Sequence, residues 1–364
     1  MAAVGATPLL HNLPEEVVLW EILARLDPKS LIRCRAVRRA WRCATSTRRF
    51  LLAHHARQPS LTIFSSQGYR NILAFDHRAP ATAVARLDKP FVLLASCDGL
   101  LLLSWSDRRA CLTVCNPATR EHASLGRIPS DFSVVGMYPH RPTGDYRLLL
   151  QRRGCRGGNQ IGCYIFALGS DLTPRYIGWP ETASLNCFET PALVRDSLHL
   201  FPFKTLFAPK KIWVFDTMVE SFRQMRAPVV PPGGNLFEMD GTLGIHVHNY
   251  ATEIITIWVL QDYESEVWEL RYRIKLPVAD IREQFEDNGK CWGFDVVSRD
   301  GDVLLLVHSG GWLLQVDSDG KLIDSFDCGH RDLRMYRYQL KQSLLQHTFF
   351  PALENYAVNA PLFI

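Results

Sequence analysis

The sequence predicts an α+β multidomain chain, with a small all-α domain over residues 9–58 and a large all-β domain over residues 60–364. For the β domain the reading is a six-bladed β-propeller, with a β-sandwich as the alternative. Three observations predict this. Apolar residues recur at helical spacing as far as residue 58. From Leu61 the texture turns to short apolar runs broken by turn residues. A strand-and-turn pattern then returns about every fifty residues, the length of a four-stranded blade.

The helical head is read element by element. Pro14 suits the start of a first helix, Glu15 and Glu16 complement the N-terminal end of its dipole, and Leu19, Ile22, Leu23 and Leu26 form one apolar stripe. Asp27 is placed to cap a second helix that begins at Pro28 and presents Leu31, Cys34 and Val37. Val37, Ala40, Trp41 and Ala44 make a third stripe, and Ser46 or Thr47 caps a last helix that Pro59 ends. So short a set of helices cannot enclose a full core and needs a partner surface, either the rest of the chain or another protein.

These residues resemble an F-box. The similarity lies in Leu13-Pro14-Glu15-Glu16-Val17-Val18, Ile22-Leu23-Ala24-Arg25-Leu26, Pro28 to Val37, and Trp41. Asp27 stands where many relatives have a first proline, and Arg38-Arg39-Ala40 replaces the usual small residues before the tryptophan, but no apolar anchor is lost. The resemblance implies docking on the Skp-type adaptor of a cullin ubiquitin ligase through Leu13, Pro14, Ile22, Leu23, Leu26, Pro28, Leu31, Cys34 and Val37. Trp41 would knit the helices together.

In the body, Asp-Gly pairs at 98–99, 240–241, 300–301 and 319–320 mark hairpins. Apolar strands ending at Asn116, Gly169, Asp216, Asp262 and Asp317, each followed by a short turn, give steps of 53, 47, 46 and 55 residues, a kelch-sized period without kelch signature residues. A strand at Tyr356-Ala357-Val358 is expected to pair with the first blade and close the ring. Ser96 to Leu101, Cys115 to Glu121 and Val214 to Thr217 resemble the F-box-associated domains of plant F-box proteins. In that family the body selects the protein sent for ubiquitylation, and no fixed set of target-contacting residues carries over.

Composition bounds the function. The 364 residues carry 41 Lys+Arg and 37 Asp+Glu, with 47% apolar and 21% charged residues, so the chain is globular. No apolar run approaches the ~20 residues that span a bilayer, and the start lacks the pattern of a signal peptide. The expectation is a cytoplasmic and/or nuclear protein with reduced cysteines and no membrane partner. The +4 net charge splits into +6 over residues 1–58 and −2 over the remainder. Two alternatives follow: a phosphate-binding face built from Arg33, Arg35, Arg38, Arg39, Arg42, Arg48 and Arg49, or a carbohydrate- or ligand-binding or enzymatic propeller with a purely structural helical cap. Nucleic acid is not expected as a partner, because the organised feature of the head is apolar.

No nucleotide-binding, zinc-protease or serine-hydrolase motif is present. His246 and His248 would share one strand face and could bind a metal if a third ligand came from elsewhere, the plainer reading being two half-exposed strand residues, and His54-His55 is read as solvated. Trp213, Trp258, Trp268 and Trp312 are read as core, while Trp105 and Trp179 are candidates for a binding face. The expectation is therefore a substrate-recognition subunit with no catalytic residue, metal or cofactor, whose partners are the adaptor, through it a cullin, and an unidentified target.

Overall fold

The computed structural model describes residues 13–66, 70–76, 82–87, 89–105, 111–129, 131–152, 160–170, 173–178, 188–202, 211–229, 233–285, 293–299, 302–309, 311–328 and 333–358. The head opens with α1 (Glu15–Val17), which widens to a π turn (Val18–Ile22) and tightens to a 3-10 turn (Leu23–Arg25). The sequence pattern implies one regular helix here. The change of pitch turns Leu23 fully inward while Leu19, Ile22 and Leu26 stay half-buried. Asp27 then caps α2 (Pro28–Val37), its Oδ1 accepting from Ser30 N at 3.0 Å. An extended Arg38 separates α2 from α3 (Arg39–Thr45), and Thr47 caps α4 (Arg48–Arg57) by accepting from Phe50 N at 3.3 Å.

The body is six antiparallel sheets arranged as blades. Blade 1 holds β1 (Leu61–Ser66), β2 (Asn71–Phe75) and β3 (Thr82–Arg86). Blade 2 holds β4 (Phe91–Cys97), β5 (Leu100–Trp105), β6 (Cys111–Asn116) and β7 (Glu121–Arg127). Blade 3 follows with β8 (Phe132–His140), β9 (Asp145–Arg152), β10 (Gly162–Ala167) and β11 (Arg175–Gly178). Blade 4 is β12 (Ala192–Val194), β13 (Ser197–Leu200), β14 (Lys211–Asp216) and β15 (Ser221–Arg226). Blade 5 is β16 (Asn235–Met239), β17 (Thr242–Asn249), β18 (Ile254–Asp262) and β19 (Val267–Lys275), followed by α5 (Val278–Phe285). Blade 6 is β20 (Gly293–Arg299), β21 (Asp302–Ser309), β22 (Trp312–Val316) and β23 (Leu322–Asp327). Two further strands, β24 (Arg334–Leu340) and β25 (Glu354–Val358), complete the set.

In blades 2 to 6 the first strand lies nearest the axis: β4 touches β8 and β24, and β16 touches β12 and β20. The expectation for ring closure is corrected here. The closing strand is β24, which takes the innermost place of blade 1 with Leu61 opposite Leu340 and Ile63 opposite Tyr336. Tyr356-Ala357-Val358 belongs instead to β25, which adds a fifth strand outside β7, with Ala357 opposite His122. Burial explains the choice. Tyr336 and Leu340 are 5% and 1% exposed, as an axial strand requires, whereas Tyr356 and Val358 are 36% and 49% exposed and suit only a rim.

The fifty-residue beat marks the turn between the third and fourth strands. Asn116 Oδ1 accepts from Ala118 N and Thr119 N, Asp216 Oδ1 from Met218 N and Val219 N, and Asp262 Oδ1 from Glu264 N and Ser265 N. Asp317 does the same for Asp319 N and Lys321 N. At Asp98-Gly99 and Asp240-Gly241 both residues have positive φ, which gives the turn that a right-twisted hairpin needs. Apolar side chains fill every seam between blades. The sixth seam, from blade 6 back to blade 1, joins Leu306 and Leu313 to Phe64, Leu73 and Phe75. Among the described residues no helix is long and apolar enough to cross a membrane.

Candidate functional site

Two surfaces bear on function, the outer face of the head and the seam that fixes the head to the body. The nine head residues singled out in the sequence fall into three groups. Leu13 and Val37 are 42% and 77% exposed and Pro14 is exposed. Ile22, Leu26 and Cys34 are half-buried, while Leu23, Pro28 and Leu31 face inward. Three outward apolar residues of the head were missed, Val17 at 38%, Ile32 at 46% and Leu52 at 47% exposure. The signal for Ile32 was available in part: adjacent helical residues point about 100° apart, so with Leu31 directed inward Ile32 is turned well away from that direction. The head thus exposes the apolar side chains of Leu13, Val17, Ile32, Val37 and Leu52, and the ion pair of Arg38 with Glu15 at 2.8 Å ties the end of α2 to α1.

The inward residues meet Phe50 and Leu51 of α4, with Trp20 against Phe50 at 5.7 Å and Trp41 half-buried alongside. Arg35 is committed to this interior. Its Nε donates to Thr45 Oγ1 at 2.9 Å and its Nη2 to Thr45 O at 2.6 Å, and Arg38 is held by Glu15. The arginines therefore do not form one free phosphate-binding face.

His54 and His55, expected to be solvated, are structural. His54 is fully buried, with Nε2 2.9 Å from Leu26 O, a carbonyl to which Gln58 Nε2 also donates at 3.0 Å. Burial holds its imidazole below the usual pKa. His55 reaches across to the body, where its Nε2 lies 3.3 Å from Asp98 Oδ1. Tyr146 OH donates to the other carboxylate oxygen of Asp98 at 3.0 Å. Burial raises the Asp98 carboxyl, but the bonds from His55 and Tyr146 outweigh it, and the group sits below its usual range.

Residues 341–353 thread this seam. Leu344 and Leu345 are 5% and 7% exposed within the head's own core, beside Ala118 of blade 2. Asn116 Nδ2 donates to Ser343 O at 3.0 Å. A side chain at Gly99 (φ +88) would come within 2.6 Å of Ser343 Cβ. His347 meets Tyr146 edge-on at 4.9 Å, and burial pushes its pKa down to about 4.

At the propeller axis a cavity of about 320 Å³ is lined by Asp98, Glu238, Asp295, Arg337 and Lys341. Asp295 is 5% exposed and accepts from Val296 N at 3.0 Å, and burial raises its carboxyl to about 6. Arg337 donates to Asn235 Oδ1 and, at 3.3 Å, to Glu189. His246 is buried against Phe237 and Phe294, and burial lowers its pKa to about 3. His248 meets the Tyr250 ring at a tilt, with centroids 4.3 Å apart. Among the described residues no group of three His, Cys, Asp or Glu could hold a metal. Trp213 is buried, Trp258, Trp268 and Trp312 are half-buried, and Trp105 Nε1 donates to Thr113 Oγ1 at 3.0 Å; Trp179 lies outside the described residues.

Comparison with known proteins agrees with this organisation. Residues 10–56 match the F-box-like family, and residues 49–309 match the F-box associated beta propeller domain. An F-box protein of Arabidopsis thaliana is 24% identical over 293 residues, covering 72% of this chain and 79% of its own. A second Arabidopsis F-box protein is 26% identical over 361 residues, covering 86% of this chain and 85% of its own. Among solved structures, the Dos1 propeller aligns at 12% identity with a TM-score of 0.38, covering 76% of this chain and 69% of that one. The chain therefore belongs to the F-box proteins whose body is an F-box-associated β-propeller.

Proposed function

We propose that this protein is the substrate-recognition subunit of an SCF ubiquitin ligase. Its head docks on a Skp-type adaptor, which connects it to a cullin, and its propeller recruits the target. The observation that carries this reading is the exposure of Leu13, Val17, Ile32 and Val37 on a head that matches the F-box-like family. The Arg38–Glu15 pair holds α1 beside the end of α2, so that one partner can cover the apolar side chains of both. Leu13, Pro14 and Val37 make direct contact, Ile22, Leu26 and Cys34 border them, and Leu23, Pro28 and Leu31 set the curvature from within. The chain acts by binding, and ubiquitin transfer takes place on partner subunits. It works in the cytoplasm, the nucleus or both.

Co-purification with a Skp-type adaptor tests the reading, comparing wild type with Ile32→Asp/Val37→Asp. Both positions are exposed, so the variant keeps its fold, and carboxylates at a surface that must dehydrate on docking abolish capture. Capture of the variant at the wild-type level contradicts the proposal.

A further inference from the structure

The head does not own a complete core. Leu344 and Leu345 fill the space among Leu23, Leu31, Phe50 and Leu51. They lie just beyond β24, the strand that closes the ring. The path that delivers them is pinned to the body on both sides. Upstream, β24 pairs with β1, and Ser96 Oγ on β4 donates to Gln339 O at 2.6 Å. Within the strap, Asn116 holds Ser343, and Gly99 allows the backbone of Lys341 to approach, its carbonyl oxygen 2.8 Å from where a Cβ would stand. Downstream, Phe350 is fully buried in the core between blades 2 and 3, and β25 pairs with β7.

Each of these contacts requires the last strands of the chain to be in place. Before β24 is seated, the two leucines have no fixed route to the head, and a helical unit of this size with a gap in its core is not stable alone. We propose that propeller closure completes the head, so that the adaptor-docking face takes its final form only in a chain whose ring has closed. The consequence is a built-in checkpoint: a molecule with an open or damaged propeller does not present a folded F-box. The docking half of this inference rests on the adaptor reading above, while the coupling of head to ring stands on the contacts alone.

Pulse-labelled hydrogen exchange during refolding of the full chain tests the coupling. The amides of α4 are expected to gain protection together with, or after, those of β24. Protection of α4 in molecules whose β24 amides still exchange freely overturns it. At equilibrium, Leu344→Asp/Leu345→Asp should speed exchange in α2 and α4 about tenfold or more, while blades 4 and 5 keep wild-type protection. Wild-type protection of α2 and α4 in that variant also overturns the proposal. Adaptor capture is read in parallel. If the variant frees the head but wild type itself never captures the adaptor, the coupling stands and the adaptor reading fails.

Discussion

Asp295 shows how one buried charge sets a testable property. Its carboxyl is raised to about 6, because burial at the axis penalises the charged form more than Arg337 and the Val296 amide favour it. A carboxyl raised in the fold contributes stability below its unfolded pKa and loses it as pH rises through 6. Asp295→Asn keeps an acceptor for the Val296 amide and removes the charge. At pH 7.5 the variant should therefore be more stable than wild type by up to about 3 kcal/mol, a gap that closes towards pH 4. Thermal unfolding at the two pH values checks this, and a variant less stable than wild type at pH 7.5 would mean that the carboxylate is held by a net favourable ion pair. None of this was legible in the sequence, where Asp295 is one acidic residue in an apolar strand. Burial and the nearness of Arg337 come from ring geometry that joins residues from distant blades. Asp98 is the intermediate case: its turn-forming role was plain from Asp98-Gly99, but its bonds to His55 and Tyr146 depend on where the head sits.

At the level of elements, the hairpins were readable because their chemistry is local. An Asp or Asn that ends a strand accepts from amides two to four residues on, whatever lies around it. Asp216→Ala and Asp262→Ala should each cost about 1 kcal/mol, since each removes the acceptor of two turn amides that water can partly replace. Urea unfolding of the single variants measures the loss, and an unchanged midpoint for both would show that the turns form without their caps. Strand partnership is not local in this way. Tyr356-Ala357-Val358 has the texture of a strand, but nothing in those residues says whether it lies at the axis or on the rim. The first helix poses a similar problem. Its apolar period was visible, but the π and 3-10 turns that rotate Leu23 inward accompany a core that includes Leu344 and Leu345, more than three hundred residues away.

Across the whole molecule, six seams of apolar side chains and one late strand hold the ring together, and a strap from the chain's end binds head to ring. The interior also carries a pH signature. Burial lowers the imidazoles of His199 and His347 to about 4 and that of His246 to about 3. A histidine depressed in the fold stays neutral there but takes up a proton when the chain unfolds. Its contribution is intact above about 6.5 and is lost progressively as pH falls towards 4. Three such groups outweigh the opposite trend of Asp295, so the melting temperature should fall as pH drops from 6.5 to 4.5. Calorimetry over that range checks the slope, and a melting temperature that rises with acid would refute the assignment.

The proposed role requires the head to present an adaptor-docking face. Titration of the full chain with a purified Skp-type adaptor, wild type beside Ile32→Asp/Val37→Asp, tests it most directly. Wild type is expected to bind saturably and one to one, and the variant at least about tenfold more weakly, with unchanged melting temperature. Absence of binding by a folded wild-type chain, or equal affinity of the two proteins, would contradict it.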